Sequence, residues 1–485
     1  MPANFTFTWN GTEVPAEAGD NVAEALFRAG HRQIGCSRKR HRPMGLSGSF
    51  IQGVLAEVDD IPNRRLDQVM AKPGMAVQRQ SVWPSPHVDL LKLFRYLPAH
   101  WLRGGFEHTR LMPSGTWRFL IWERLLAFLA GEGRLRAEPL EPAVIPGQVI
   151  TCDLVVVGAG PAGRREANLA AKAGKRVVLV FRGPQPGRFA TDLLGDLEPI
   201  HAAITLLPGH EVFGIYRQGA LVAAAPTEAG PAVAIHCSEL VLATGKRSRP
   251  PLVPGNLLPG VIDAHAALMM SARPNMAKAF GRTILVGTDR RDDIAQLLRG
   301  RGIDVITTAA AAELRAIIGK NSVQAADLGK TLPCETIVHA GPWISDPNLP
   351  FQAGSDGRLR LGQDHAPREH ALARLAGAAA EGDEAIAVNA SIATATDICP
   401  CMDVSAGEIT DLLQAGTTHI EEIKRQTSCG MGPCQGFPCW DMLDAVMRQK
   451  MGPSYVSDRP SHRGPRRAVT VAQAAGLHEL VEPQQ

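Results

Sequence analysis

Five of the nine cysteines of this 485-residue chain fall in one stretch, Asp397 to Trp440, and four of them form two close pairs. Cys399 and Cys401 lie in Asp397-Ile-Cys-Pro-Cys-Met-Asp, Cys429 and Cys434 in Ser428-Cys-Gly-Met-Gly-Pro-Cys-Gln-Gly, and Cys439 follows a little apart. No other feature restricts the fold as much, because the intervening segment has to bring the pairs together, and its length suits one helix and its return. Thiolates are soft anionic ligands that suit iron–sulfur clusters or zinc. The glycines between Cys429 and Cys434 let the backbone curl so that N–H groups face sulfur, which favours a compact anionic cluster. A zinc knot that only staples the segment stays open, although C-x-C and C-x4-C are not the usual zinc spacings. A disulfide framework is disfavoured, since nothing marks the chain as secreted and cytosolic thiols stay reduced.

C-x-C followed at a distance by C-G-M-G-P-C-Q-G resembles the [2Fe–2S] domain of bacterioferritin-associated ferredoxin, in the version carried by the larger subunits of opine oxidases. The resemblance implies that Cys399, Cys401, Cys429 and Cys434 are the ligands, with Cys439 outside the set.

The length suggests about two to four domains, and a 45% hydrophobic, 20% charged composition suits soluble cores. A net charge of +3 gives no case for nucleic acid. Arg38, Lys39, Arg40 and Arg42 cluster around His41, and Arg463, Arg466 and Arg467 lie near the end. Each cluster reads as a solvated face, the first also as a phosphate or partner contact. The start, Met1-Pro-Ala-Asn-Phe, lacks the pattern of a secretory signal. The run Trp117 to Ala130 is interrupted by Arg118, Glu123 and Arg124 and falls short of a membrane span, so it reads as a partly buried amphipathic helix. The expectation is a cytoplasmic protein that does not span a membrane.

Near the start, Phe5 to Trp9 alternates as a strand, Asn10-Gly11 is a hairpin turn signal and Thr12 begins the return. Asp20 is placed to cap a helix from Asn21 to Ala29. This order looks like the opening of a β-grasp domain of the plant-ferredoxin type, assigned to residues 1–100. Cys36 is the single cysteine before Cys152, so the region cannot hold a four-thiolate cluster. Gly35-Cys-Ser-Arg-Lys-Arg-His-Arg-Pro-Met-Gly45 resembles the corresponding loop in the α subunit of heterotetrameric sarcosine oxidase. Val88 to Leu135, rich in Leu, Trp and Phe, reads as short helices for interdomain packing or a partner interface, and Glu138 to Gln148 as a proline-rich linker, with residues 101–150 assigned as helical segment and linker.

Cys152-Asp-Leu-Val-Val-Val-Gly158-Ala-Gly160-Pro161-Ala162-Gly163, a helical run to Ala173 and a strand from Arg176 to Phe181 make a dinucleotide-binding unit. The first glycine allows the tight turn, the second lets a pyrophosphate approach, and the third lets helix and strand pack. A relic fold with an empty pocket is the alternative. The second strand usually ends in an acid that binds ribose, but here Arg182 follows Phe181. Arg182 suits a 2′-phosphate, or FAD is held by other contacts. Arg164 and Arg165 add positive charge near the phosphate end, or contact solvent or a partner. Glu239 to Ala243, Thr244 and Gly245, then a proline-rich crossover, resemble the hinge segment of two-dinucleotide-binding, glutathione-reductase-like flavoproteins. A second nucleotide subdomain is expected over about 281–365. Its glycine turn keeps Gly287 but lacks the other two glycines, and Asp289 and Asp292 would repel a pyrophosphate. No cysteine pair follows the first glycine turn, which removes disulfide-reductase chemistry. Leu375-Ala-Gly-Ala-Ala-Ala380 resembles the turn that closes an FAD domain, and also reads as plain helix packing. Ser405 is placed to cap a helix over Ala406 to Ala415.

The expected architecture is α/β: a two-dinucleotide-binding flavoprotein fold over 151–395, the N-terminal β-grasp ferredoxin-like domain, a small C-terminal helical [2Fe–2S] domain over 396–450 and an irregular tail over 451–485. Almost the whole chain resembles the large subunit of heteromeric amine or amino-acid dehydrogenases: the α chain of sarcosine oxidase without its folate domain, the large chain of opine oxidase, hydrogen cyanide synthase and dye-linked proline dehydrogenase. The resemblance implies an oxidoreductase subunit. It implies FAD or another adenine nucleotide at Gly158, Gly160, Pro161, Ala162, Gly163, Arg182, Thr244 and Gly245, and FMN at a partner interface. A β- or B-type flavoprotein subunit, with further small subunits, would oxidise the amine, and a protein, quinone or oxygen would accept the electrons. A flavin takes two electrons and a [2Fe–2S] cluster carries one, so the two together split the pair. The fifteen histidines are scattered, and no dyad or triad for amine deprotonation is seen, so no catalytic residue is assigned. A self-contained NADPH-dependent ferredoxin-type reductase and a non-catalytic scaffold are the alternatives.

Overall fold

A computed structural model describes residues 4–48, 54–97, 115–129, 133, 145–216, 221–226, 230–288, 290–353, 373–376, 391–432, 434, 436, 439–452, 454–455, 460, 464–467 and 469–481. The chain divides into two units. One comprises residues 1–135, 248–342 and 386–458, the other 136–247, 343–385 and 459–485.

In the second unit the strand Gln148–Val157 lies between Val177–Val180 and Val233–Leu242, all parallel, with Thr205–Leu207 beyond the first and Ala373–Leu375 beside the last. The first half of Val233–Leu242 also pairs antiparallel with Leu221–Pro226, which pairs with His210–Tyr216. Parallel strands covered on both faces read as unbroken apolar runs, and alternate residues here serve different cores. Leu154, Val156, Val177 and Leu179 pack under the helix Pro161–Lys172 through Ala167 and Ala171. Val155, Val157, Val178, Val180, Leu240 and Leu242 pack on the opposite face. Each such side chain contributes about 1.5–3 kcal/mol on burial, so the turn after Val157 hangs from a rigid strand.

The tail, expected to be irregular beyond Met451, contains the helix Val471–Val481. A capping box starts it: Gln473 N–H donates to Thr470 Oγ1 at 3.1 Å and Thr470 N–H donates to Gln473 Oε1 at 3.2 Å. Thr-x-x-Gln is a local signal that outweighs the prolines and arginines before it.

The first unit opens with a five-stranded sheet in the order Thr12–Glu17, Asn4–Trp9, Ala76–Arg79, Leu55–Val58, Ile61–Arg65, with the helix Val22–Arg28 against it. Asn10 and Gly11 turn the hairpin at φ 51° and 83°. Asn21, rather than Asp20, caps the helix, accepting from Glu24 N–H at 2.9 Å. Asp20 is held elsewhere, accepting from Glu17 N–H at 2.8 Å and from Arg28 Nη2 at 2.7 Å. The helix Thr116–Leu129 forms as expected. Among the described residues it is mostly exposed rather than partly buried along one face: Trp117, Leu120, Ile121, Leu125 and Phe128 are exposed, and only Phe119 and Trp122 are half-buried.

The same unit holds a four-stranded parallel sheet in the order Val261–Asp263, Thr336–Ala340, Thr283–Gly287, Val305–Ala310, covered by the helices Ala264–Ser271 and Arg291–Gly300. Its third part is the cysteine region, a hairpin of Asp397–Cys399 and Val404–Ser405 followed by helices Ala406–Gln414, Ile420–Thr427 and Cys439–Met451. Ser405 caps the first helix as expected, with Glu408 completing a capping box. No helix among the described residues is long and apolar enough to cross a membrane.

Candidate functional site

The cysteine region gathers all five of its thiols. Cys401 and Cys434 Sγ lie 3.4 Å apart, and the Sγ atoms of Cys399, Cys429 and Cys439 lie within 4.8 Å of one another. Cys399 also contacts Cys401, and Cys434 contacts Cys439. Cys439, which spacing set apart from the pairs, therefore stands in the same group. The interval from Cys434 to Cys439 repeats the interval from Cys429 to Cys434, and that repetition is the signal that pairing by nearest neighbours overlooked.

Local structure explains the convergence. The helix Ile420–Thr427 ends on Ser428 in the left-handed conformation at φ 61°, and Cys429 N–H donates to Thr427 Oγ1 at 3.1 Å. Gly430 and Gly436, at φ 77° and 86°, fold the turn onto the Trp440 ring, which a Cβ at either position would strike at 2.2 and 1.8 Å. A Cβ on Gly432 would lie 2.2 Å from Cys401 Sγ. The glycines thus let backbone and sulfur meet, and Gly430 N–H donates to Cys399. Ile398, Ile409, Ile423, Leu443 and Val446 surround the thiols with apolar side chains. Hydrogen bonds from Cys401, Cys429 and Cys439 hold the Cys399 thiol well below its ordinary pKa; the bonds to Cys399, with burial, push Cys401, Cys429 and Cys439 up, and the bond to Cys439, with burial, pushes Cys434 up against the opposite pull of Cys401. Buried soft donors in this number, with a backbone N–H aimed at sulfur, fit an anionic iron–sulfur cluster.

The basic segment before them has a role that composition did not reveal. Arg38 N–H donates to Cys401 O at 3.3 Å, and the Lys39 and Arg40 N–H groups donate to Asp403 Oδ2 at 3.1 and 2.9 Å. Lys39 Nζ donates to Thr427 O at 2.6 Å, and Arg42 donates to Leu257 O at 3.0 Å and Pro400 O at 2.7 Å. The segment is a clamp on the cysteine turns. Burial pushes the Lys39 ammonium below its usual pKa, while Glu408, Cys399, Asp403 and Cys429 pull it back up.

A second group, Cys36, His41 and Asp89, has ligand atoms equally close together. Arg79 Nη2 donates to Cys36 Sγ at 2.8 Å and Asp89 Oδ2 lies 3.2 Å from His41 Nδ1. A guanidinium on the sulfur occupies the place of a cation, so this group reads as a buried polar network. Cys152 and Cys237 face each other on neighbouring strands, both buried, with thiols pushed up by burial to about 11 and about 12. They are core residues, in keeping with the absence of a redox pair after the glycine turn.

At the first glycine turn, Gly158 has φ 104° and a Cβ there would lie 2.2 Å from Ala243 O. A Cβ on Gly163 would meet Gly158 O at 1.8 Å, whereas a Cβ on Gly160 would meet nothing within 4 Å. Two glycines are thus required by packing, and the third borders open space. Pro161 begins the helix and Gly160 provides no side-chain cap, so the helix's positive end at Pro161, Ala162 and Gly163 is left without an acidic or hydroxyl partner from its cap. Ala243 N–H donates to Val157 O at 2.8 Å, which sets Thr244 and Gly245 beside Gly158. Arg164 does not face the turn's open side: it donates to Ala159 O at 3.2 Å, Pro186 O at 2.7 Å and Glu198 O at 2.9 Å. Arg182 points into an ion cluster, with Glu211 at 3.7 Å and Arg247 and Arg466 close by, and burial pushes its guanidinium down to about 9.

The second glycine turn differs. A Cβ on Gly287 would lie 2.3 Å from Ala340 O, and Thr288 packs against Gly341. Asp292 and Asp293 occupy the first turn of the next helix, where they neutralise the positive end that a phosphate would meet. Asp289 lies outside the described residues.

Known domains and relatives match this arrangement. A family described as a 2Fe-2S iron-sulfur cluster binding domain matches residues 3–82, a span holding the single cysteine Cys36. The fold is present there without the thiols for such a cluster. A pyridine nucleotide-disulphide oxidoreductase domain matches residues 152–288, and a BFD-like [2Fe-2S] binding domain matches residues 398–449. The alpha subunit of sarcosine oxidase from Rhizobium meliloti (strain 1021) is 29% identical over 339 residues, covering 63% of this chain and 34% of that protein. The A subunit of opine oxidase from Agrobacterium tumefaciens (strain Ach5) is 32% identical over 162 residues, covering 28% of this chain and 32% of that protein. The crystal structure of L-proline dehydrogenase from P. horikoshii superposes with a TM-score of 0.70 at 19% identity over 97% of both chains, which shows a shared fold. This chain is related to the alpha and A subunits of these oxidases and spans about a third of their length.

Proposed function

We propose that this chain is the electron-relaying subunit of a multi-subunit flavin-dependent dehydrogenase or oxidase acting on an amine or amino acid of the sarcosine, opine or proline type. The observation that carries this reading is the convergence of five thiols in a buried, N–H-lined turn clamped by Arg38 to Arg42. Cys399, Cys401 and Cys434 hold a [2Fe–2S] cluster, with the fourth thiolate from the pair Cys429 and Cys439. Such a cluster, when bound, accepts and releases one electron at a time. The chain's own part is to keep four thiolates desolvated, to donate Gly430 N–H to sulfur and to hold the cation of Lys39 near the site.

The turn at Gly158, Gly160, Pro161, Ala162 and Gly163, with Thr244 and Gly245 beside it, binds FAD or another adenine nucleotide through the helix N–H groups. FMN sits at the interface with a β- or B-type flavoprotein subunit, and that subunit removes hydrogen from the amine, since no base poised to do so stands among the described residues of this chain. Arg182, committed to Glu211, is a structural residue here rather than a reader of 2′-phosphate. The reduced thiols suit a cytoplasmic setting.

Co-purification with the partner subunits followed by anaerobic addition of sarcosine, proline or an opine tests the reading. The expected result is a reduced-cluster EPR signal that grows with substrate. Partner turnover with no such signal would rule out the relay, and a signal driven by NADPH in the isolated chain would favour a self-contained reductase.

A further inference from the structure

A [2Fe–2S] cluster needs four thiolates, and five are gathered. The contacts among them are not equivalent. Cys399, Cys401, Cys434 and Cys439 close a ring in which each sulfur touches the next. Cys429 lies outside that ring and touches two adjacent members, Cys399 and Cys439. Two sulfurs bound to one tetrahedral metal at about 2.3 Å stand roughly 3.8 Å apart. Cys429 and Cys439 both lie within 4.8 Å of Cys399 Sγ and of each other, so either reaches the fourth position with a side-chain rotation and a shift of about an ångström. Cys429 leads into the glycine turn, with Gly430 at φ 77°. Cys439 begins the helix Cys439–Met451, whose positive end stabilises a thiolate.

We propose that Cys429 and Cys439 are interchangeable fourth ligands, so that the cluster has a spare thiol built into its site. The proposal rests on the cluster reading above. In the exchange one metal–sulfur bond breaks and one forms. The arriving thiol loses its proton and the departing thiolate takes one up, so neither charge nor electron count at the metal changes. Cys401 and Cys434, paired with each other at 3.4 Å and outside the reach of Cys429, have no such substitute.

The test is iron and acid-labile sulfide content, with EPR of the reduced protein, for the full chain carrying Cys429→Ala, Cys439→Ala, both together, or Cys401→Ala. Alanine avoids a serine oxygen that itself binds iron. The two single variants are expected to keep the wild-type iron content, one of them with shifted g values, and the double variant and Cys401→Ala to lose it. Far-UV circular dichroism and elution volume show whether the double variant is folded. Loss of iron from either folded single variant, or retention by the folded double variant, overturns the proposal. Wild-type protein without iron overturns the cluster reading itself.

Discussion

Lys39 places a half-buried cation beside the thiol group, its Nζ anchored on Thr427 O at 2.6 Å. A positive charge near a cluster favours the reduced state, so Lys39→Met is expected to lower the cluster's reduction potential by on the order of 50 mV, since 59 mV is tenfold for a one-electron couple. A dye-coupled redox titration reads the shift, and an unchanged potential would mean that the ammonium is electrostatically remote from the metal. Composition could name Arg38 to Arg42 as basic but could not say what they face. Their partners, Cys401 O, Asp403 and Thr427 O, are more than three hundred residues away in sequence.

The elements separate positions that serve packing from those that serve a ligand. Gly158→Ala puts a Cβ 2.2 Å from Ala243 O at a φ of 104°, and should destabilise its unit by about 2 kcal/mol or more. Gly160→Ala meets nothing within 4 Å and should leave the melting temperature unchanged while weakening nucleotide binding at least tenfold. Calorimetry and nucleotide titration on both variants check the contrast, and equal loss of stability in the two would contradict it. The glycine turn, the Asn10-Gly11 hairpin and the Ser405 cap were legible in sequence because their causes lie within a few residues. Cys439 was signalled only by the repeated interval from Cys429 to Cys434 to Cys439, and its place among the thiols depends on how Gly430 and Gly436 pack on Trp440. Asn21 displaced Asp20 as a cap for a similar reason: Arg28, one helix length away, claims the aspartate.

At the scale of the whole molecule, His339 is a pH liability in the first unit. Its Nδ1 shares a hydrogen bond with Ser248 Oγ at 2.6 Å, and burial pushes its pKa from 6.5 down to about 3. The folded state binds the proton less well than the unfolded one, so this contribution to stability is full above pH 6.5 and declines as pH falls towards 3. The loss should reach about 2 kcal/mol by pH 5. Chemical denaturation at pH 7 and pH 5 measures it. His339→Gln should flatten the dependence by that amount, and an identical slope in the variant would show that the ring is not kept neutral. The order of β-grasp, nucleotide and cysteine regions was legible from motifs. The division into two interleaved units was legible only near residue 248, where the proline-rich crossover lies, because the chain crossings near 343, 386 and 459 carry no local sequence signal.

The central claim is that the converging thiols hold a [2Fe–2S] cluster. Metal and sulfide analysis of the purified full chain, with EPR before and after dithionite, tests it most directly. Iron and acid-labile sulfide in equal amounts, EPR silence as oxidised and a spin-one-half signal on reduction are the predicted result. Zinc in place of iron, with no paramagnetic signal in either state, would contradict it.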